Sequence, residues 1–191
     1  MGRAIVINHV TLDGVMQAPG RRDEDLRGGF EHGGWAIPGN DEVMGAKLGE
    51  WMGGEHAFLL GRRSYEDMLR AWNRMGGPYK DALNNTPKYV ASRSPATRLG
   101  WPNSTLLHGD IPAAVVELKR SRNLVIMGSG ELIRELMAAD VIDVFGLLIH
   151  PLVLGSGRRL FADGVQASLR LTDCTTTTKG VLLATYEPST Q

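Results

Sequence analysis

Cysteine is nearly absent from this 191-residue sequence: Cys174 stands alone, so no disulfide can form within the chain. Disulfide frameworks belong to oxidising compartments, and we therefore expect a cytoplasmic protein. No apolar run approaches the roughly 18 residues that span a bilayer. Met1-Gly2-Arg3 leads into a short apolar segment, without the long apolar core of a signal peptide. The sequence predicts neither a membrane span nor a secretion signal.

An excess of one charge is also missing, because 21 Lys and Arg residues balance 21 Asp and Glu residues. Nucleic acids and anionic membranes attract proteins mainly through positive charge, so we expect neither as a partner. The five histidines lack the spacing of metal ligands, and we expect no metal. A chain of this length suits a single domain, residues 1–191, with a sizeable core.

One stretch combines several binding features. The apolar run 124–127 has strand character, Gly128-Ser129-Gly130 follows it, and residues 131–136 have a helical pattern. Glycines permit a tight turn or a close backbone approach, and Ser129 is a candidate N-cap. The N–H groups and the dipole of a helix N-terminus attract anions. An ordinary turn between a strand and a helix would have the same sequence, so both interpretations stay open.

Two further strands end in arginine and hydroxyl side chains. The buried strand 56–60 runs into Gly61-Arg62-Arg63-Ser64, and the strand 87–92 ends in Ser92-Arg93-Ser94. Arginine binds phosphate oxygens in bidentate fashion, and open α/β sheets bind ligands at the carboxyl ends of their strands. Solvated turns are the alternative interpretation at both places.

The N-terminal part predicts a buried strand, a long loop and a helix. His9 lies near the end of the apolar strand, either as a hydrogen-bonded core histidine or as a polar group at the strand's mouth. Residues 16–40 are glycine-rich and charged, as in a lid or binding loop. The helix 41–52 follows, and Asp41 is either its cap or a carboxylate at the mouth of a cleft.

The remaining chain alternates between strand and helix patterns. We expect a polar connection over 73–85, and then a strand over 104–108, a helix over 111–120 and a long strand over 141–149. A glycine-punctuated loop follows, and two strands, 168–176 and 179–186, form a tight C-terminal hairpin. This order predicts an α/β sandwich of three layers, with a mostly parallel central sheet and an antiparallel C-terminal hairpin.

In this order the motifs resemble the dihydrofolate reductase-like superfamily, in the branch related to the C-terminal reductase domain of the bacterial riboflavin-biosynthesis enzyme. The segments that carry the resemblance span almost the whole chain: Thr11-Leu12-Asp13-Gly14, Gly61-Arg62-Arg63-Ser64-Tyr65-Glu66, Lys88-Tyr89-Val90-Ala91-Ser92-Arg93, Met127-Gly128-Ser129-Gly130-Glu131-Leu132 and Pro151 through Phe161.

The resemblance implies NADPH as the cofactor. It places the pyrophosphate at the two glycine-containing turns between strand and helix, 61–64 and 128–130. The adenosine ribose and its 2′-phosphate would lie at Ser92-Arg93, with Arg62 or Arg63. The nicotinamide would lie beside Gly14 and Val15. The implied cofactor-binding residues are Gly14, Val15, Gly61, Arg62, Arg63, Ser64, Ala91, Ser92, Arg93, Met127, Gly128, Ser129, Gly130, Glu131 and Leu132.

The resemblance also implies a substrate site with one departure. Dihydrofolate reductases follow their tryptophan–proline motif with an aspartate that holds the pterin. Here Trp35-Ala36-Ile37-Pro38-Gly39 matches, but Asn40 takes the acid's place and Asp41 comes one residue later. One residue turns a helical side chain by about 100°. We predict Asp41 and Trp35 as catalytic residues, with Glu42 behind Asp41.

Three functions remain open. The first is an NADPH-dependent reductase of a small heterocyclic, pterin- or pyrimidine-like, or carbonyl substrate. The second is the ribosylaminopyrimidine reductase of riboflavin synthesis, for which Arg21 and Arg22 could bind the ribose phosphate. The third is a non-catalytic NADP(H)-binding module. The resemblance further implies a homodimer formed near the late strands and the loop 155–161.

Overall fold

A computed structural model describes residues 1–161 and 163–189 of the chain. The chain divides into two compact units, the first comprising Met1–Ile5 and Gly54–Ile142, and the second Val6–Gly53 and Asp143–Gln191. The single domain over residues 1–191 stays a prediction.

The first unit contains four strands and four helices. In chain order they are β2 (His56–Gly61), α2 (Arg62–Met75), α3 (Pro78–Asn85), β3 (Lys88–Ala91), β4 (Ser104–Leu107), α4 (Ile111–Lys119), β5 (Asn123–Met127) and α5 (Gly130–Ala138). The middle of β2 and the middle of β5 are buried, which explains their continuous apolar sequence.

The second unit contains the long loop and the C-terminal strands. Strand β1 (Ala4–Thr11) begins in the first unit and continues here, followed by α1 (Glu42–Trp51), β6 (Val144–His150), β7 (Leu169–Thr176) and β8 (Leu182–Pro188). The predicted loop contains two short 3-10 turns, Arg27–Gly29 and Ile37–Gly39. Trp51 of α1 packs on Gly146, where a Cβ would come within 2.8 Å of the indole.

The strands form one sheet in the order β4-β3-β2-β5-β1-β6-β8-β7. Strand β2 pairs in parallel with β3 and β5, β3 pairs in parallel with β4, and β8 pairs antiparallel with β6 and β7. The predicted fold class, a mostly parallel sheet with an antiparallel C-terminal hairpin, is confirmed.

The prediction of a polar connection over 73–85 is wrong, because most of this segment is helical. Helix α2 extends to Met75, and α3 fills most of the rest. Leu83 is buried, and the rings of Trp72 and Tyr79 lie 4.4 Å apart, so a few side chains hold an otherwise polar helix in place. Lys88 is also buried and donates hydrogen bonds to three carbonyl oxygens at the end of α3, those of Leu83, Asn84 and Thr86.

Candidate active site

Two strand-to-helix junctions of the first unit are hydrogen-bonded to each other. The N–H of Gly61, where β2 meets α2, donates to Oγ of Ser129 at 2.9 Å. The N–H of Ser129, where β5 meets α5, donates to Oγ of Ser64 at 2.8 Å. Because the chain reaches these junctions 68 residues apart, the sheet brings together two of the predicted cofactor motifs.

The turn after β5 has the backbone conformation that its glycine was expected to permit. Gly128 has a φ of +58°, and a Cβ there would lie 2.9 Å from Oγ of Ser64. Ser129 is also left-handed, with φ 56° and ψ 37°. Ser129 occupies the predicted N-cap position, but its hydroxyl donates to the Met127 carbonyl at 2.9 Å and accepts from Gly61, and it does not cap α5.

Helices α2 and α5 both begin without a side-chain cap. Helix α1 is capped by Asp41 and α4 by Asp110, so side-chain capping occurs elsewhere in the chain. The first N–H groups of any helix have no carbonyl partner within the helix and carry partial positive charge. Two uncapped N-termini at hydrogen-bonded junctions can together bind an anion.

The predicted arginines are not equivalent. Nη1 of Arg63 lies 3.4 Å from Glu131 Oε1, and Nη2 of Arg93 lies 3.7 Å from Glu131 Oε2. Arg62 instead pairs with Glu66 one helical turn along α2, at 3.0 Å. All three guanidinium groups are exposed to solvent to a substantial degree. Arg63 and Arg93 therefore form a cluster with Glu131 in which positive charge exceeds negative charge by one.

The other predicted cofactor residues in the first unit offer mainly backbone. Ala91 ends β3, in register with Gly61. The hydroxyl of Ser92 is 2.7 Å from that of Thr97. Leu132 is buried, so its side chain belongs to the core and only its backbone is available to a ligand.

In the second unit, Asp13 organises the turn that contains Gly14 and Val15. Its carboxylate accepts hydrogen bonds from the N–H groups of Leu154, at 3.2 Å, and Gly155, at 2.8 Å. The hydrogen bond from Thr11, with those backbone donors, lowers the pKa of Asp13 to about 2. Val15 is buried, and Gly14 has a φ of +80°, a conformation that favours glycine.

Asp41 is the N-cap of α1. Its Oδ1 accepts from the N–H of Met44 at 2.8 Å. Its Oδ2 accepts from the N–H and the hydroxyl of Thr178, at 2.8 and 2.7 Å. These hydrogen bonds, that from Met44 first, lower the pKa of Asp41. Both oxygens thus bind this chain itself, and the predicted catalytic role of Asp41 stays a prediction.

Trp35 lies beside a histidine pair. Its indole N–H donates to the Gln17 carbonyl at 2.7 Å, and its ring stands perpendicular to that of His150, with centroids 5.2 Å apart. Nδ1 of His9 and Nε2 of His150 are 2.8 Å apart. A hydrogen-bonded core histidine was one of the two interpretations of His9, but its partner could not be predicted, because His150 lies 141 residues away and follows an ordinary apolar strand pattern.

Within the described ranges 1–161 and 163–189, no helix is both long and apolar enough to cross a membrane.

Comparison with known proteins gives a family and a fold. The model of the RibD C-terminal domain family matches residues 4–183. An uncharacterized protein of Bacillus subtilis (strain 168), YyaP, is 32% identical over 108 residues, which are 54% of this chain and 56% of that protein. The chain thus spans about half the length of the curated relative that it matches.

Solved structures share the fold at low sequence identity. A dihydrofolate reductase from Enterococcus faecalis, complexed with NADP(H) and RAB-propyl, has a TM-score of 0.63 at 14% identity and covers 99% of this chain and 98% of its own. A diaminohydroxyphosphoribosylaminopyrimidine deaminase/5-amino-6-(5-phosphoribosylamino)uracil reductase from Thermotoga maritima has a TM-score of 0.65 at 14% identity, over 98% of this chain and 57% of its own.

These matches confirm the resemblance inferred from the strand-end motifs. Because the family match runs through nearly all of the strands and both glycine junctions, the chain belongs to the RibD C-terminal domain family.

Proposed function

We propose that this chain is an NADPH-dependent reductase that transfers a hydride to a small heterocyclic, pterin- or pyrimidine-like, or carbonyl substrate. Membership of the RibD C-terminal domain family supports a reductase. The names of the dihydrofolate reductase and the phosphoribosylaminouracil reductase that share the fold support a heterocyclic substrate.

The pair of hydrogen-bonded, uncapped helix N-termini carries the proposal. A pyrophosphate bound there would receive hydrogen bonds from backbone N–H groups of α2 and α5, and both helix dipoles would favour its negative charge. The turn at Gly128 lets the two junctions pack closely, because residue 128 has no side chain and a Cβ there would lie 2.9 Å from Oγ and 3.5 Å from Cβ of Ser64.

NADPH differs from NADH by a dianionic 2′-phosphate, and Arg63 and Arg93 are suited to recognise it. Their shared partner is the single carboxylate of Glu131, which leaves one positive charge to pair with phosphate oxygens. Arg62 contributes less in this proposal, because its guanidinium already pairs with Glu66.

When bound, reduced nicotinamide supplies the hydride, and this chain must hold the substrate and provide a proton. Gly14 and Val15 border the nicotinamide side in this proposal, Trp35 provides an apolar wall, and Asp41 serves as the polar anchor. Asp41 would have to exchange its Thr178 hydrogen bonds for the substrate.

One observation favours a second candidate function, a non-catalytic NADP(H)-binding module. Both oxygens of Asp41 are engaged by Met44 and Thr178, so Asp41 is not available to a substrate without rearrangement. The reductase and the non-catalytic module would both bind the cofactor, but only the reductase would oxidise it in the presence of a substrate.

Calorimetric titration with NADPH and NADH, followed by NADPH oxidation at 340 nm, tests the proposal. The probe substrates are dihydrofolate, 5-amino-6-(5-phosphoribosylamino)uracil and 4-nitrobenzaldehyde. Binding with NADPH oxidation that depends on a probe is the expected result. Binding without oxidation by any probe would favour the module, and failure of both cofactors to bind would overturn both candidates.

We also propose that the chain forms a homodimer through the late strands of its second unit. Strand β7 ends the sheet order and is mostly exposed, and Val153 and Leu171 are exposed apolar side chains of the same unit. Sedimentation equilibrium of the unaltered chain against Leu171→Asp tests this, with a dimer that the substitution dissociates as the expected result.

A further inference from the structure

His9 and His150 form an isolated hydrogen-bonded pair of imidazoles. The 2.8 Å between Nδ1 of His9 and Nε2 of His150 accommodates one proton, so one ring donates and the other accepts. His150 is buried and His9 partly buried. If both rings are neutral, this single bond makes their tautomers match: either both carry the proton on Nε2, or both carry it on Nδ1.

The outer nitrogens of the pair, Nε2 of His9 and Nδ1 of His150, have no hydrogen-bond partner among the described residues. Within those residues no fully buried side-chain nitrogen or oxygen lacks a partner. Nε2 of His9 and Nδ1 of His150 therefore each keep some solvent-exposed area, although His150 as a whole is only 1% exposed. Glycine at position 39 keeps Nδ1 of His150 uncovered, because a Cβ on Gly39 would lie 2.8 Å from that nitrogen.

We propose that His9 and His150 relay the proton that the reduction consumes, with His9 as the donor to the substrate and His150 as its link to solvent. This inference rests on the proposed reductase function. It assigns the acid role to a pair that the sequence motif does not contain, in a chain where Asn40 replaces the expected acid and Asp41 is occupied by backbone hydrogen bonds.

The pair can act without becoming charged. Burial, together with the nearby His150, lowers the pKa of His9 to about 3, and burial lowers the pKa of His150 to about 4. At neutral pH neither ring is an imidazolium, so donation from a stored positive charge is excluded. A change of tautomer needs no buried charge before or after the step, because each ring gains one proton as it loses another.

Reduction of a C=N acceptor consumes one hydride and one proton. The substrate carbon gains a proton and two electrons as a hydride from reduced nicotinamide, and the π electrons move to the substrate nitrogen. That nitrogen forms a bond to the proton of His9 Nε2. His9 Nδ1 takes the proton of His150 Nε2, and His150 Nδ1 takes one from solvent. Both rings change from the Nε2–H to the Nδ1–H tautomer, and a second solvent exchange restores them.

The place of the pair in the fold fits this role. His9 lies two residues before the end of β1, and ligands bind outside the carboxyl ends of strands in sheets of this type. The Trp35 ring stands against His150, so the residue that we expect to contact the substrate also contacts the pair. A C=N or C=O group beside Trp35 is the chemical class of acceptor that this arrangement suits.

The first test uses the unaltered chain. ¹⁵N NMR of the imidazole nitrogens at pH 7, on protein with labelled histidine, distinguishes the two neutral tautomers from imidazolium. Matching neutral tautomers for His9 and His150, with a shared N–H, are the expected result. Opposite tautomers, or an imidazolium in either ring, would overturn the relay, and this result does not depend on whether the chain reduces any substrate.

The second test measures kcat with whichever probe substrate the unaltered chain reduces, in His9→Gln, His150→Gln and the double variant. Each single variant should lower kcat by about 10²-fold. The double variant should be no slower than the singles, because the two rings act as one unit. The NADPH dissociation constant should stay within about twofold in all three, since the relay does not hold the cofactor.

His108→Gln is the matched control, an exposed histidine of the first unit whose kcat should not change. Full kcat in either single variant, or multiplied losses in the double variant, would overturn the relay and leave the reductase function intact. Absence of turnover by the unaltered chain with every probe would overturn the reductase function, and the relay with it.

Discussion

The hydroxyl of Ser64 accepts a hydrogen bond from the backbone N–H of Ser129, 2.8 Å away. Ser64 lies in the first turn of α2, and Ser129 immediately precedes α5. This bond fixes the spacing of two helix N-termini that no side chain caps. Since anion binding by helix termini depends on where their N–H groups point, the bond determines whether the two helices can share a single ligand.

Gly128→Ala should weaken NADPH binding by at least about tenfold, that is by about 1.4 kcal/mol. An added Cβ would come within 2.9 Å of Ser64 Oγ, and alanine tolerates the φ of +58° poorly. The substitution therefore displaces Ser64 and also occupies the space beside the turn. Calorimetric titration with NADPH measures the effect.

Gly100→Ala is the control for this substitution. A Cβ on Gly100 would have no atom within 4 Å, so alanine there makes the same glycine-to-alanine change in the same unit without creating a new contact. Unchanged affinity in Gly128→Ala, with affinity also unchanged in Gly100→Ala, would contradict the phosphate site at this junction.

The sequence was sufficient to predict the two junctions because each is a local pattern of strand, glycine and helix. It could not show that the Ser129 side chain reaches Gly61 instead of capping α5, because that choice depends on the pairing of β2 with β5. The same limit applies to Asp41. Its role as a helix cap was predicted from the local sequence, but its hydrogen bonds with Thr178 could not be, because Thr178 lies 137 residues away.

Arg63→Ala and Arg93→Ala should each reduce the preference for NADPH over NADH by about five- to tenfold, whereas Arg62→Ala should change it by less than twofold. The difference follows from pairing, since Arg63 and Arg93 converge on Glu131 and Arg62 pairs with Glu66. Titration with each cofactor at 50 and 300 mM salt measures both the preference and its screening.

Glu131→Gln completes this series, because it removes the carboxylate that competes with phosphate for both guanidinium groups. We expect tighter NADPH binding and unchanged NADH binding. A loss of preference in Arg62→Ala equal to that in Arg93→Ala would show that the side-chain pairing does not determine 2′-phosphate recognition.

Asp13 should make folding stability depend on pH in the acid range. Its folded pKa of about 2 lies below the usual 3.8, chiefly through the Thr11 hydrogen bond and the Gly155 and Leu154 N–H groups. A carboxyl with a depressed folded pKa stabilises the folded state above its unfolded pKa, and this contribution is lost as pH falls through the folded value. The difference in Tm between the unaltered chain and Asp13→Asn should therefore be largest above pH 4 and decline towards pH 2.

Thermal unfolding from pH 2 to 6 measures that difference, with Asp81→Asn as the control. Asp81 is exposed, and its carboxylate lies near Lys80, at 3.3 Å, instead of accepting from loop N–H groups. A pH-independent difference between the unaltered chain and Asp13→Asn would mean that the charge of Asp13 does not stabilise the loop around Gly155.

Lys88→Met should lower the free energy of unfolding by about 2 kcal/mol. The Lys88 ammonium donates to the carbonyls of Leu83, Asn84 and Thr86 at 2.6–3.2 Å, and these groups lie where α3 ends. Methionine has a similar volume but no donor, so the substitution isolates the loss of those hydrogen bonds. Urea denaturation measures the effect, and Lys80→Met on α3 itself is the control, because its ammonium contacts only the neighbouring Asp81 among described charged groups. The polar stretch 78–85 is thus held as a helix partly by hydrogen bonds that Lys88 of the next strand donates. The local sequence of 78–85 does not reveal these hydrogen bonds.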